Sequence, residues 1–398
     1  MNSTWSRISL FFFLTIAILG SLIRAFPFAN IPVQYRHIVH AHSHVAFQGW
    51  IYTLMLLFLT NLFLSKEQIK SRKYPLQFKL TIPIILGILI AFMLQGYAFY
   101  SILFSTIFQL LNYWFIFSFF RDTKHLKNTN NISIRFVRAG LWLGLFSTLA
   151  PWAIGILSAK GFANTEPYHS AIYFFLHFQY NGWFLFVAIG LLFKCLEQAQ
   201  IDYDNQKAKY FFLLFTTAVI PAYALSLLGM SYSNYVIIPA VIAAILQLGA
   251  LVFFVQLMQA VHNQWLAKKS LWIKLFLYTS FASFIVKIGL QFLSIFPALE
   301  LYAFGSRYLI MAYIHLSLIG VISFFFIGLL LDLNWIKIGR LSKIGSALLL
   351  IGFALSELIL VVIGFGLSML PKLLLIFSIL MAIGILLLLL SPSNTSKS

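Results

Sequence analysis

The chain has a single cysteine, nine acidic residues and little charge of any kind, and each scarcity excludes something. A lone thiol, Cys195, can build neither a disulfide framework nor a thiolate metal cluster. Charged residues make up 9% of the 398, far too few to clothe a soluble domain in which 61% of residues are hydrophobic. Two-residue alternation is missing from the apolar runs, which excludes the strands of a membrane barrel. Helices are then the one backbone that can satisfy its own hydrogen bonds in lipid.

What is present is a series of apolar runs, each of about 18 residues or more and so long enough to cross a hydrocarbon core of roughly 30 Å. Spans fall near 8–27, 37–64, 78–97, 102–120, 137–158, 170–194, 209–230, 235–261, 271–295, 307–331, 344–366 and 371–390. The expected class is therefore an all-α membrane protein of about 12 transmembrane helices. It forms one polytopic domain over 1–390, followed by a disordered tail over 391–398. The first span has Arg7 ahead of it and no small-residue cleavage site, so it reads as a retained helix and not as a signal peptide. No internal repeat stands out, nor any pair of broken helices in matching halves, the usual pointer to a secondary transporter.

The formal charge of +18 would suit nucleic acid if it formed one face, but the basic residues sit in short loops. Lys66, Lys70, Arg72, Lys73 and Lys79 follow span two, and Arg121, Lys124, Lys127, Arg135 and Arg138 follow span four. Lys194, Lys207 and Lys209 follow span six, Lys268, Lys269 and Lys274 span eight, and Lys337, Arg340 and Lys343 span ten. The intervening loops hold only Arg24, Arg36, Lys160, Arg307 and Lys372. That alternation predicts both termini in the cytoplasm of a bacterial-type inner membrane. The lipid bilayer is the implied partner, and nucleic acid is not.

Nine histidines are present. His125 and His262 belong to loops on the basic side. The other seven, His37, His40, His42, His44, His169, His177 and His315, lie in spans two, six and ten or at their outer approaches. His44 and His177 lie about seven residues inside their helices and His315 about eight, which places all three roughly 10–12 Å below the outer ends. An imidazole in lipid needs a partner for its N–H and for its lone pair. Each could hydrogen-bond a neighbouring helix, or the set could ligate a metal. Iron in a haem would take the lone pair, and two imidazoles from facing helices would clamp the porphyrin. Within HIVHAHSHVAFQGW, His37, His40, His44 and Gln48 share one helical stripe. His42 points nearly opposite, on the face of Gly49, whose missing side chain would admit a flat ring. His44 is the expected ligand by depth, followed by His42 and then His40, with His37 interfacial.

Histidines on the second, sixth and tenth of twelve spans resemble subunit I of the haem–copper oxidase and nitric oxide reductase superfamily. There the second and tenth helices ligate a low-spin haem, and the sixth supplies a histidine to the second metal. IHLSLIGVISFFFIGLLL is similar to the family's tenth helix, which makes His315 resemble the low-spin ligand. The high-spin ligand position, two residues earlier, is Tyr313. HFQYNGWF is similar to the reductases' His-x-x-x-Glu-Gly-x-Trp stretch, with His177 at the metal ligand, Asn181 at the glutamate and a one-residue shift at Trp183. The family's His-His pair is missing from LLGMSYSNYV at the seventh helix. The resemblance thus implies a b-type haem without an intact binuclear centre. The stretch HAH at 40–42 also resembles a family of haem- and copper-containing nitric-oxide-response membrane proteins.

The resemblance implies electron transfer, or sensing or handling of NO or O₂, with a redox partner protein or quinol as donor. Whether the chain is an enzyme stays open, because the catalytic ligand set is incomplete. A second metal such as copper or iron would fall to His177 and His169. Arg36 and Arg307, at the outer ends of spans two and ten, either snorkel to the interface or pair with haem propionates, as Arg24 does at the end of span one. Lys287 and Glu357 are single charges inside spans nine and eleven, either part of a proton path or a buried pair. Tyr97, Phe99, Tyr100, Tyr168 and Tyr232 are expected in an aromatic belt. The competing readings are a transporter with a histidine-lined site and a divergent terminal oxidase or NO reductase.

Overall fold

The computed structural model describes residues 2–126, 131–367 and 370–393, and every regular element among them is helical. In chain order the long helices are α1 (Ser3–Ala25), α2 (Tyr35–Phe63), α3 (Tyr74–Gln95), α4 (Phe99–Asp122), α5 (Ile132–Ala159) and α6 (Glu166–Gln198). They continue with α7 (Asn205–Val219), α8 (Ser233–His262), α9 (Leu271–Leu293), α10 (Arg307–Asp332), α11 (Arg340–Gly364) and α12 (Pro371–Leu390). Eleven of them are each long and apolar enough to cross a membrane. The exception is α7, which reaches that length only with the 3₁₀ turn Pro221–Leu227, to which it is bent by 47°. The seventh span expected over 209–230 is therefore broken. Pro221 has no N–H to continue the α-helical ladder, and the chain tightens after it. Of the expected tail, residues 394–398 lie outside the described residues, as does Lys127 of the loop after α4.

The chain divides into two compact units, Met1–Lys124 with Phe326–Ser398, and His125–Phe325. In the first, α1 packs on α2 and α12, α2 on α3, and α3 on α4. The closest helix pair is α11 and α12. A Cβ on Gly345 would come within 2.7 Å of the Gly384 carbonyl oxygen, and one on Gly384 within 2.7 Å of the Gly345 oxygen. Two backbones can approach that closely only where both side chains are missing, the usual device for joining helices that share no hydrophobic drive in lipid. Polar ties reinforce the unit. Arg24 donates to Ser356 Oγ at 2.9 Å, to the Leu374 carbonyl at 3.1 Å and to Ser378 Oγ, binding α1 to α11 and α12. At the start of α3, Arg72 pairs with Asp122 at 2.9 Å and Tyr74 donates to the same carboxylate at 2.8 Å.

In the second unit α5 lies along α6, and α7 packs on α8, α8 on α9, and α9 on α10. Gly144 of α5 accommodates the Trp183 ring, to which a Cβ would come within 2.7 Å. The Glu197 carboxylate ties the far end of α6 to α5 by accepting from the Ser133 hydroxyl at 2.7 Å and its backbone N–H at 3.3 Å.

Candidate functional site

The histidine-bearing spans share a local distortion. A π-helical segment occupies Ala46–Ile51 in α2, His177–Phe184 in α6 and Leu316–Ser323 in α10, and these are the π-helical segments among the described residues. His44 and His315 stand one or two residues ahead of theirs, and His177 opens its own. The same three spans are the most enclosed, with 72%, 89% and 78% of their apolar windows buried against at most 44% in any other. A π segment inserts an extra residue into the turn and re-aims the side chains around it, a feature frequent at functional sites. In α10 the widened turn is visible in a side-chain bond, Ser323 Oγ donating to the Leu318 carbonyl five residues back at 2.7 Å. From the helix starts, His44, His177 and His315 lie about nine, eleven and eight residues in, or roughly 12–17 Å. α2 and α6 begin two and four residues earlier than the hydropathy suggested and α10 where expected, so the depths along the three helices are greater and more spread than the expected 10–12 Å.

Each histidine of α2 has found a neighbour. His37 donates from Nδ1 to the Met93 carbonyl at 3.3 Å and lies against Gly96, where a Cβ would come within 2.7 Å of its ring. Gly96 also ends α3 at φ +62°, a conformation that suits glycine. The His40 ring meets the Tyr97 ring edge-on at 4.6 Å. His44 stacks on Phe92 at 4.2 Å, and its Nε2 shares a 2.7 Å hydrogen bond with the Tyr97 hydroxyl. Tyr97 is thus more than a belt residue. It is the partner of His40 and His44.

His42 faces the other way, towards α1. Its Nδ1 lies 3.0 Å from the Ile16 carbonyl, and Gly20 leaves room for its Cε1, 3.1 Å from where a Cβ would be. A carbonyl only accepts, so Nδ1 carries the proton, and a neutral His42 has its lone pair on Nε2. Gly49 shares this face, as the helical wheel requires, but what it admits is Phe12 of α1 and not a cofactor ring. The Phe12 side chain lies 3.1 Å from where a Cβ on Gly49 would stand.

In the second unit, His177 is 1% exposed and spends both nitrogens on protein. Nε2 donates to the Val219 carbonyl at 2.8 Å, and Nδ1 accepts from Asn181 Nδ2 at 3.2 Å. The first bond follows from the break in α7. The Tyr223 N–H, which would close the α-helical bond to Val219, turns instead to the Ile220 carbonyl at 3.2 Å. His177 supplies the missing donor. His169 is exposed in the first turn of α6, two turns or roughly 12 Å from His177 along the helix, so the two are not brought together. Among the described residues no group of three or more His, Cys, Asp or Glu is placed to hold a metal.

His315 is half-buried just before its π segment, and Tyr313 packs against Tyr180 at 6.5 Å with the Lys287 ammonium 5.7 Å from its ring. Lys287 donates to Gln291 Oε1 at 3.0 Å. Glu357 feels the charge of Arg24, so each of these intramembrane charges has its own local company. Arg36 and Arg307 are exposed at the starts of α2 and α10, whereas Arg24 is committed to Ser356 and Ser378. Sequence reasoning passed over the Ile16 and Val219 carbonyls and Gly20, which carry no side-chain signal. No family model and no curated protein matches this chain.

Proposed function

We propose that this chain is a multi-pass inner-membrane protein holding one b-type haem, acting in electron transfer or in sensing or handling NO or O₂. Both termini lie in the cytoplasm, so reporter fusions after Lys70 and Lys269 are expected to read cytoplasmic, and periplasmic readings would overturn the orientation. The observation that carries the reading is the coincidence of a histidine, a π-helical segment and deep enclosure in α2, α6 and α10 and in no other span among the described residues.

His315 and a histidine of α2 would hold the haem, an assignment that rests on the sequence and on depth along each helix. Of the α2 candidates, depth favours His44 and a fixed tautomer favours His42, which we take as the ligand. Its Nδ1–H is held by a backbone carbonyl, the arrangement that fixes the tautomer and raises the basicity of ligating imidazoles. His177 does not fit a second metal, since both nitrogens are spent. The reading therefore contains no binuclear centre, and the terminal-oxidase alternative is not favoured. When bound, the haem would supply one-electron chemistry. The protein's part is to fix the tautomer of His42 through Ile16, to leave space for that ring at Gly20, and to exclude water by enclosing the three spans.

Replacing His315 by alanine removes the imidazole of α10 and is expected to abolish the six-coordinate low-spin spectrum. Retention of that spectrum in the variant would sink the proposal.

A further inference from the structure

Trp5 of α1 and Phe78 of α3 meet with ring centroids 4.1 Å apart, both within the first turns of their helices, so the two helices begin at the same end. Beside that contact lies a groove of about 480 Å³ between α1 and α3. Its lining is sorted by polarity. Ser3, Thr4 and Arg7 stand near the helix start with Ser393, and Phe11, Ile82 and Leu86 continue the walls deeper along the helices. From Ser3 to Phe11 the drop is roughly 12 Å.

Arg7 is exposed at the rim, and one of its N–H groups donates to the Ser391 carbonyl at 3.2 Å. No acidic residue lines the groove among the described residues. Neither the Arg72–Asp122 nor the Lys207–Asp204 ion pair involves Arg7. A guanidinium above an apolar trough, with hydroxyls beside it and no carboxylate, is complementary to a phosphate carrying an acyl chain. The planar fork matches phosphate oxygens in pairs, and basic crevices between membrane helices are recurrent sites for anionic headgroups.

We propose that this groove binds one anionic phospholipid, with its phosphate at Arg7, Ser3 and Thr4 and an acyl chain laid along Phe11, Ile82 and Leu86. A zwitterionic lipid offers the same chain and phosphate but brings its own cation, which competes for the phosphate and is repelled by Arg7. The site is independent of the histidines and of any haem.

The test is native mass spectrometry of the full chain, purified in detergent and supplied with phosphatidylglycerol or phosphatidylcholine. The wild type is expected to retain one phosphatidylglycerol at collision energies that strip phosphatidylcholine. Arg7→Gln is expected to lower that retention about fivefold, the worth of one surface cation against an anionic lipid, and to leave phosphatidylcholine unchanged. Leu86→Trp, which fills the trough while keeping Arg7, should block retention as well, and it serves if the arginine variant fails to fold. Lys269→Gln, in a different loop, should have no effect. Equal retention of the two lipids by the wild type, or of phosphatidylglycerol by wild type and Arg7→Gln, would overturn the proposal. Displacement by inorganic phosphate alone would overturn it too, since a free anion would then suffice. Binding seen only in a chain ending at Ser393 would give the groove to the chain's own last residues, against the proposal.

Discussion

His42 and His177 are both intramembrane imidazoles near a π-helical segment, yet they bond the backbone through opposite nitrogens. His177 closes a gap in the fold. The break at Pro221 leaves the Val219 carbonyl without its helical donor, His177 supplies one, and Asn181 takes up the remaining lone pair. His42 makes a bond of the same kind, to Ile16, but through the other nitrogen, which puts the lone pair on Nε2. Depth in the membrane and isolation from other charges do not distinguish a ligand from a structural histidine. The tautomer does differ between the two, His177 donating from Nε2 and accepting at Nδ1 whereas His42 donates from Nδ1.

The two histidines are expected to separate most sharply at Gly20. Valine there places a Cβ about 3.1 Å from the His42 ring, and its methyls closer still, so the ring must move. Gly20→Val is expected to lose most of its bound haem, measured by absorption per chain, whereas His44→Ala keeps it. The reverse order would return the ligand role to His44. A smaller effect is expected at His177. His177→Ala leaves the Val219 carbonyl and the Asn181 amide without partners in a water-poor interior, at a cost of about 1–3 kcal/mol. Its thermal unfolding should shift down while haem content per chain stays at the wild-type value. Loss of haem from a variant of undiminished stability would show that His177 is a ligand after all.

The helices were legible in the sequence because lipid leaves the backbone a single choice and hydropathy records it. Span seven was the exception. Pro221 lay in plain view within 209–230, but the continuous apolar run outweighed it, and the 47° bend makes this the more useful half of the signal. The histidines of α2, α6 and α10 were legible as a set, since their restriction to three spans is a property of the chain. Their partners were not. Helical periodicity tells that His37, His40 and His44 share a stripe and that His42 opposes it, but not that the stripe meets Tyr97 and the opposing face meets Gly20. Such pairings depend on packing between distant segments, as with Arg24 and Ser356, 332 residues apart. The carbonyls of Ile16 and Val219 are the extreme case, because any residue would have supplied the same atom. The π segments escaped too. AFQGWI, HFQYNGWF and LSLIGVIS share only a glycine, and an inserted residue in a helix leaves no periodic trace over so few positions.

That the histidines of α2 and α10 hold a haem is tested by the absorption spectrum of the purified wild-type protein, oxidised and then reduced with dithionite. The protein is expected to be coloured, with about one haem per chain, and on reduction to sharpen an alpha band and shift its Soret peak as a six-coordinate b-type haem does. A colourless, metal-free protein from haem-replete cells would contradict it and leave the histidines to a transporter.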